Sequence, residues 1–386
     1  MGIPVSITSI ASFSPLGDSS ETVWKNYNHI GTLITNTAIG SAIVPVAAVP
    51  PALKEKTTLL RESDAKYRHL DDSVLYAILA SRAAVSKAGW GIGDDFGVNI
   101  GSSRGATHQF EEHYRNYLET GKAAVQASPS TTLGNISSWV AHDLKSSGPE
   151  ISHSITCSTA LHAVLNGVAW LRAGMARKFL AGGAEAPLTP FTIAQMQAMK
   201  IYAKASGGAY PCLASDLLKK VNTMVLGEGA AAVCLEPGIV DGALATIDGV
   251  GYATEMLEHS VFLSADAGCM QRAMLMALGG TPPSAVDAVV MHAPGTLKGD
   301  SAEHAAIQKV FGDAMPLLTT NKWKIGHTFG ASGLLSLEMA VLMLLNNKFI
   351  GVPFTEGRPQ QGNLKKILVN AVGFGGNAVS VLIARP

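Results

Sequence analysis

One order of elements occurs twice along this chain, and that repetition limits the folds open to it more than any single motif does. The first half reads as strand VSITSIASFSPLG, strand GVNIGSS, a small-residue turn opening the helix TCSTALHAVLNGVAWLRAGMARKF, and the glycine-rich strand GEGAAAVCLEPG. The second half reads as LATIDGVGYA, AVVMHAPGT, IGHTFGASGLLSLEMAVLMLLNNKF and GFGGNAVSVLIARP. Alternating strand and helix patterns predict an α/β layered fold. The pairwise match predicts a duplicated unit with its boundary between Pro237 and Ala243, so we expect two halves, residues 1–238 and 239–386. The two matching helices belong at the centre. Leu161, Val164, Leu165, Val168 and Leu171 recur at helical spacing, and Leu334 to Leu345 is apolar on nearly every face. Cys157 and His327 are then expected at equivalent places, the N-terminal ends of two buried helices, where pseudo-symmetry brings them together. Three segments outside the echo, Pro45 to Arg68, Glu111 to Asn135 and Thr189 to Thr223, are expected as caps that shape a substrate tunnel.

Composition narrows the function. The 386 residues are 47% hydrophobic and 15% charged with a formal net charge of zero, which argues against bulk attraction to nucleic acid. Apolar runs such as MAVLMLL fall short of the ~20 residues a membrane span needs. The N-terminus lacks a basic region, and Val5, Ile7 and Ile10 follow a strand pattern rather than that of a secretory signal. MGIPVS meets the short myristoylation pattern at Gly2, a match that chance explains as well. Cys157, Cys212, Cys234 and Cys269 are widely separated and form no C-x-x-C pair, so free thiols and a reducing cytoplasm are expected.

One thiol stands apart. Cys157 lies where the small-residue turn SITCSTA meets its helix, and helix dipoles and free N–H groups there favour a thiolate. The other three cysteines read as small core residues. His292 ends an apolar strand in MHAPGT, the place where strands of layered α/β folds present catalytic side chains. His327 in KIGHTFGASG sits among glycines that permit close approach of backbone and substrate. Two histidines beside a cysteine can donate hydrogen bonds to a thioester oxygen and stabilise an enolate.

Over nearly its whole length, from SFSPLG to GFGGN, the chain resembles the elongating β-ketoacyl-acyl-carrier-protein synthases of the thiolase superfamily. SITCSTALHA resembles their nucleophile motif, HAPGTLKGDSAEH their first histidine motif, and Lys322 to His327 their Lys-x4-His motif. GEGAAAV and GFGGNA resemble the two glycine-rich strands that line the site. The resemblance implies a thiolase-like fold of two βαβαβαββ halves in an α-β-α-β-α stack. It also implies acyl transfer from acyl carrier protein to Cys157, then condensation with malonyl carrier protein. His292 and His327 are expected to hold the malonyl thioester oxygen. The backbone N–H groups of Cys157 and Phe374 are expected as the oxyanion hole, Lys322 as the residue that orders the histidines, and Phe374 as a gate. No metal or tightly held cofactor is implied, the substrates being carried on phosphopantetheine. A homodimer is implied, with a heterodimer of related ketosynthase subunits as the variant.

Three departures bear on function. The family's His-Gly-Thr-Gly-Thr is His292-Ala293-Pro294-Gly295-Thr296 here, leaving Thr296 alone to grip pantetheine. Where the family carries an acid nine positions after the second histidine, this chain has Ser336, with Glu338 two further on. The Arg-Pro-Phe-Asp stretch has no counterpart in YPCLASDLLKKVNTMVLGEG, so substrate scope is expected to differ from that of housekeeping synthases. Lys54, Lys56, Arg61, Lys66 and Arg68 form a modestly basic segment where an acidic carrier protein is expected to dock. Degradative thiolases carry a second cysteine that Gly373 to Asn377 lacks, and initiating synthases replace the second histidine with asparagine. The alternative is a non-catalytic partner subunit resembling a chain-length factor, a class that lacks the cysteine present here.

Overall fold

In the computed structural model the described residues are 3–91, 93–133, 135–205, 208–256, 263–354 and 363–386. Gly2 and its myristoylation pattern lie outside them. The first strand, Val5–Phe13, shows how the layers arise. Val5, Ile7 and Ile10 enter one core, whereas Ala11 and Phe13 enter another. A register shift between Ile7 and Ser9, in the pairing with strand Gly229–Pro237, lets residues three apart share one face.

Ten strands form one hydrogen-bonded sheet whose order is a mirror. From one edge run Glu150–Ile151, Gly97–Gly101, Phe179–Glu185, Gly229–Pro237 and Val5–Phe13. Next come Ala245–Thr254, Asn377–Ala384, Lys366–Gly373, Ala288–Val290 and Leu317–Thr319. Each set has two parallel pairs at its outer edge and two antiparallel pairs further in. With the packed helices inserted, each half reads βαβαβαββ, as the resemblance implies. Among the described residues, the strand ladder joining the two sets consists of the pairs Val5–Ile247, Ser6–Thr246 and Ile7–Ala245.

Burial shows the α-β-α-β-α layering. Helices Thr159–Arg172 and Ser332–Leu345 share a core with the inward faces of both strand sets, including Val233, Leu235, Val379 and Val381. The second helix is buried from Ser332 through Leu344, which matches its lack of a polar face. Each fully buried Leu or Met there contributes roughly 1.5–3 kcal/mol. The helices approach closely at Gly333, where a Cβ would stand 2.7 Å from Leu161 Cγ. Asp72–Lys87 and Asn135–Leu144 cover the outer face of the first set. Gly268–Leu278 and Leu297–Phe311 cover that of the second. No helix among the described residues is long and apolar enough to cross a membrane.

Candidate active site

The nucleophile turn is held by its own hydroxyls. Thr159 Oγ1 accepts from Ile155 N at 2.9 Å and donates to Thr156 O at 2.6 Å, while Ser158 Oγ donates to Ile155 O at 2.9 Å. Thr156, a β-branched residue, is held at φ 46°, a conformation kept only where its surroundings over-determine it. Cys157 follows it, buried, with Ser158 as the N-cap of helix Thr159–Arg172. The C-terminal glycine loop closes over this turn. Thr156 Oγ1 donates to Phe374 O at 3.3 Å, and a Cβ on Gly373 would stand 1.9 Å from Thr156 Oγ1, so only glycine fits there.

His292 lies two residues past strand Ala288–Val290, and the backbone after it is fastened by acids on helix Leu297–Phe311. Glu303 accepts from His292 N at 2.8 Å and Ala293 N at 2.7 Å; Asp300 accepts from Gly295 N at 3.0 Å. Asp300 is itself paired with buried Lys219 at 2.8 Å. Ala293 takes φ 23° where the family has glycine. His327 is gripped by its backbone: its N–H donates to Val225 O at 2.6 Å and its carbonyl accepts from Gly227 N at 3.1 Å. The two imidazole rings lie 5.1 Å apart at 90°, and neither Nδ1 has a partner among the described residues. Burial pushes both imidazoles down, His327 to about 3, with the Lys322 charge acting the same way. Both rings are therefore neutral near pH 7, and each can donate one hydrogen bond without carrying charge.

Lys322 is fully buried, and burial pushes its ammonium down to about 8 against the opposing pull of Glu303. Its Nζ donates to Ser336 Oγ at 3.1 Å. Ser336 itself thus takes the partner's place, without its charge. Glu338 points into a different part of the core, where Ser12, Lys87 and Tyr27 are its neighbours.

The structure corrects the expected thiolate. Burial pushes the Cys157 thiol up to about 12, with Glu185 acting in the same direction and Lys322 and Arg104 opposing. A helix start contributes too little to offset full burial, so the resting group is a thiol. The equivalence of Cys157 and His327 is corrected too, because a 3-10 turn, Phe329–Ala331, stands between His327 and its helix.

These groups meet in one cavity of about 260 Å3. Cys157, His292 and His327 line it together with Phe374, and Met196, Met199, Met224 and Phe329 form its apolar wall. Phe374 is 38% exposed. Thr296 lines the cavity near Pro294 while its oxygen caps the next helix by accepting from Gly299 N at 3.2 Å; its hydroxyl hydrogen is still available as a donor. Lys322 acts from behind this lining rather than in it. Of the three expected caps, only Thr189 to Thr223 contributes to this wall, through Met196, Met199, Lys200, Ile201 and Asn222.

One further expectation is not met. The GEGAAAV strand does not line the cavity, since Glu228 instead accepts from Val49 N at 2.9 Å and pairs with Lys54 at 3.2 Å. The basic segment is largely neutralised in place, with Lys56 on Asp18, Arg61 on Asp72 and Lys66 on Asp64, and none of it lines the cavity. Sequence reasoning also passed over Glu303 and Asp300. Their spacing of three on one helix, directly after the His292 turn, is the signal that could have found them.

Family models match both halves of the chain. The model of the β-ketoacyl synthase N-terminal domain matches residues 3–238, and that of the C-terminal domain matches residues 244–352. The chain belongs to the β-ketoacyl synthase family. It is 29% identical over 343 aligned positions to 3-oxoacyl-[acyl-carrier-protein] synthase I, chloroplastic, of Arabidopsis thaliana, covering 80% of this chain and 71% of that protein. It is 26% identical over 407 aligned positions to 3-oxoacyl-[acyl-carrier-protein] synthase 2 of Staphylococcus aureus, covering 98% and 97% of the two. Among solved structures, a β-ketoacyl synthase from Burkholderia phymatum superposes with a TM-score of 0.84 at 22% identity, both chains covered in full. The ishigamide ketosynthase/chain length factor gives a TM-score of 0.84 at 19% identity with the same coverage. These likenesses establish the thiolase-like fold of the family.

Proposed function

We propose that this protein condenses an acyl group held on Cys157 with malonyl-acyl carrier protein, giving β-ketoacyl-acyl carrier protein in fatty-acid or polyketide synthesis. The observation that carries the reading is one cavity in which a buried cysteine meets two neutral, perpendicular imidazoles. In the first half-reaction the Cys157 sulfur attacks the acyl thioester, its proton leaves with the carrier thiol, and the backbone N–H groups of Cys157 and Phe374 hold the oxyanion. Because the resting thiol is protonated, loss of its proton accompanies attack. In the second, the malonyl C–CO2 bond breaks and its electron pair forms an enolate whose oxygen accepts from His292 and His327. The enolate carbon then attacks the acyl carbonyl and expels the Cys157 thiolate. Neutral histidines suit this role, since each donates a hydrogen bond and strengthens it as negative charge develops. Loss of one such donor costs about 3 kcal/mol of barrier.

Lys322 acts as a positioning residue through Ser336, Phe374 gates between the half-reactions, and Thr296 grips the pantetheine arm. Residues 1–238 carry the nucleophile and residues 239–386 the histidines. The partner is acyl carrier protein; exposed Lys200 in the cavity lining suits its acidic surface. No cofactor beyond the substrates' phosphopantetheine is invoked. A cytoplasmic homodimer is proposed, the second copy covering the stripe Phe110, Tyr114, Tyr117 and Leu118, each at least 50% exposed.

Intact-protein mass after incubation with acyl carrier proteins of graded chain length tests the reading, with Cys157→Ala as control. A Cys157-dependent acyl adduct is expected. No adduct from any donor would favour the partner-subunit reading, for which the likeness to a ketosynthase/chain length factor assembly is the specific support.

A further inference from the structure

A second cavity, of about 420 Å3, lies behind the apolar wall of the first, bounded by Ser103, Arg104, Thr107, Glu111, Tyr114 and Phe191. Phe329 stands between the two. It lines the catalytic cavity, its ring is 5.5 Å from that of His327, and the Arg104 guanidinium lies 5.8 Å from the same ring. Phe329 is held at φ 41°, a strained position for an aromatic residue. The wall is thin: a Cβ on the next residue, Gly330, would stand 2.6 Å from Ser103 N.

The polar groups behind this wall are incompletely matched. Arg104 Nη2 donates to Gln195 Oε1 at 2.5 Å, yet its Nε is buried without an acceptor among the described residues. Glu185 Oε1 accepts from Gly330 N at 3.1 Å, while its buried Oε2 has no close acceptor-donor contact among the described residues. At the rim, Glu111 Oε1 accepts from the Thr189 hydroxyl at 2.7 Å. A purely apolar chain end would offer no partner to the Arg104 and Glu111 side chains that line the cavity. A carboxylate would satisfy the guanidinium but meet Glu111 and Glu185, two acids against one cation. A neutral group that both accepts and donates fits the set.

We propose that this second cavity receives the far end of the acyl chain on Cys157 and selects chains that end in a hydroxyl group, Arg104 donating to its oxygen and Glu111 accepting its hydrogen. The inference rests on Cys157 being the acylated nucleophile. Access requires the Phe329 ring to swing aside, and the rim shares Phe110 and Tyr114 with the stripe assigned to the second copy, which would roof the cavity.

The test compares initial rates of Cys157 adduct formation, by intact mass, from carrier-bound acyl donors of equal length ending in methyl, hydroxyl or carboxylate, across a series of lengths. In the unaltered protein the hydroxyl-terminated donor of matching length should react about tenfold faster than the methyl-terminated one. Arg104→Met, which keeps an unbranched side chain against Phe329, should remove that preference, bringing the hydroxyl- and methyl-terminated rates to within about twofold of each other. Glu111→Leu is the second arm, expected to reduce the same preference, and it serves alone if Arg104→Met does not fold. Equal methyl and hydroxyl rates in the unaltered protein, a carboxylate preference, or a preference that survives the substitutions would overturn the inference and leave condensation standing. Absence of any adduct would instead defeat the condensing reading itself.

Discussion

The turns that open the two central helices share a backbone and differ in what it carries. Thr156 lies three residues before helix Thr159–Arg172 at φ 46°, and Phe329 lies three residues before helix Ser332–Leu345 at φ 41°. Counted back from each helix, the counterpart of Cys157 is Gly330. A Cβ there would meet Ser103 N at 2.6 Å and Glu185 Oε1 at 2.7 Å. The first half's loop after Gly97–Gly101 packs so closely on the second half's turn that no side chain fits, and the second half supplies its reactive group three residues earlier, as His327. Duplication therefore provided two equal turns, and contact between the halves left room for one nucleophile.

The comparison is broken most completely by Cys157→Ala. Condensation and acyl adduct should fall by at least about 10^3-fold, while malonyl decarboxylation, read as carbon dioxide release, should persist because the histidines remain. Equal loss of both activities would refute the division between the turns. His327→Ala should have the opposite profile: Cys157 still acylates, and condensation drops roughly 10^2- to 10^3-fold.

The same imidazole makes stability depend on acid. Its folded value, about 3, lies below the usual 6.5, so between those values the unfolded state binds more protons. Stability from this group is full above pH 6.5 and is lost as pH falls toward 3. The drop in denaturant midpoint between pH 7 and pH 5 should be smaller in His327→Asn. Gly330→Ala tests the counterpart turn. Its added methyl should cost about 1–3 kcal/mol in denaturant unfolding and lower turnover, and a neutral result would mean that the interface yields. The smallest effect concerns the thiol. Iodoacetamide labelling of Cys157 should be slow at pH 7 and rise roughly tenfold per pH unit above it. Fast labelling at neutral pH would show that the helix start outweighs burial.

The echo of strand and helix patterns was enough to read the paired helices and the approach of Cys157 to His327, because residue type and period encode them directly, whereas His292 was read from its strand-end position and the family resemblance. What was not legible depends on through-space neighbours. The thiol's protonation turns on how deeply Cys157 is buried. The offset of His327 from Cys157 depends on one extra 3-10 turn that no periodicity marks. Lys322 meets Ser336 rather than Glu338 because of the direction in which one helix faces. The basic segment looked available for docking since its partners Asp18 and Glu228 are distant in sequence. Arg104 gave no signal in GSSRGA, since its meaning comes from Phe329, Gln195 and a cavity.

The three-pair seam at Val5 to Ile7 has a consequence for how the chain is made. Strand Val5–Phe13 ends in the middle of the finished sheet, flanked by Gly229–Pro237 and Ala245–Thr254. It has neither neighbour until residues 229–237 have been synthesised, and Ala245–Thr254 in turn waits for Asn377–Ala384. For most of translation both edges of that strand are open to wrong pairing. A lesion at residues 5–7 therefore strikes the join between the halves.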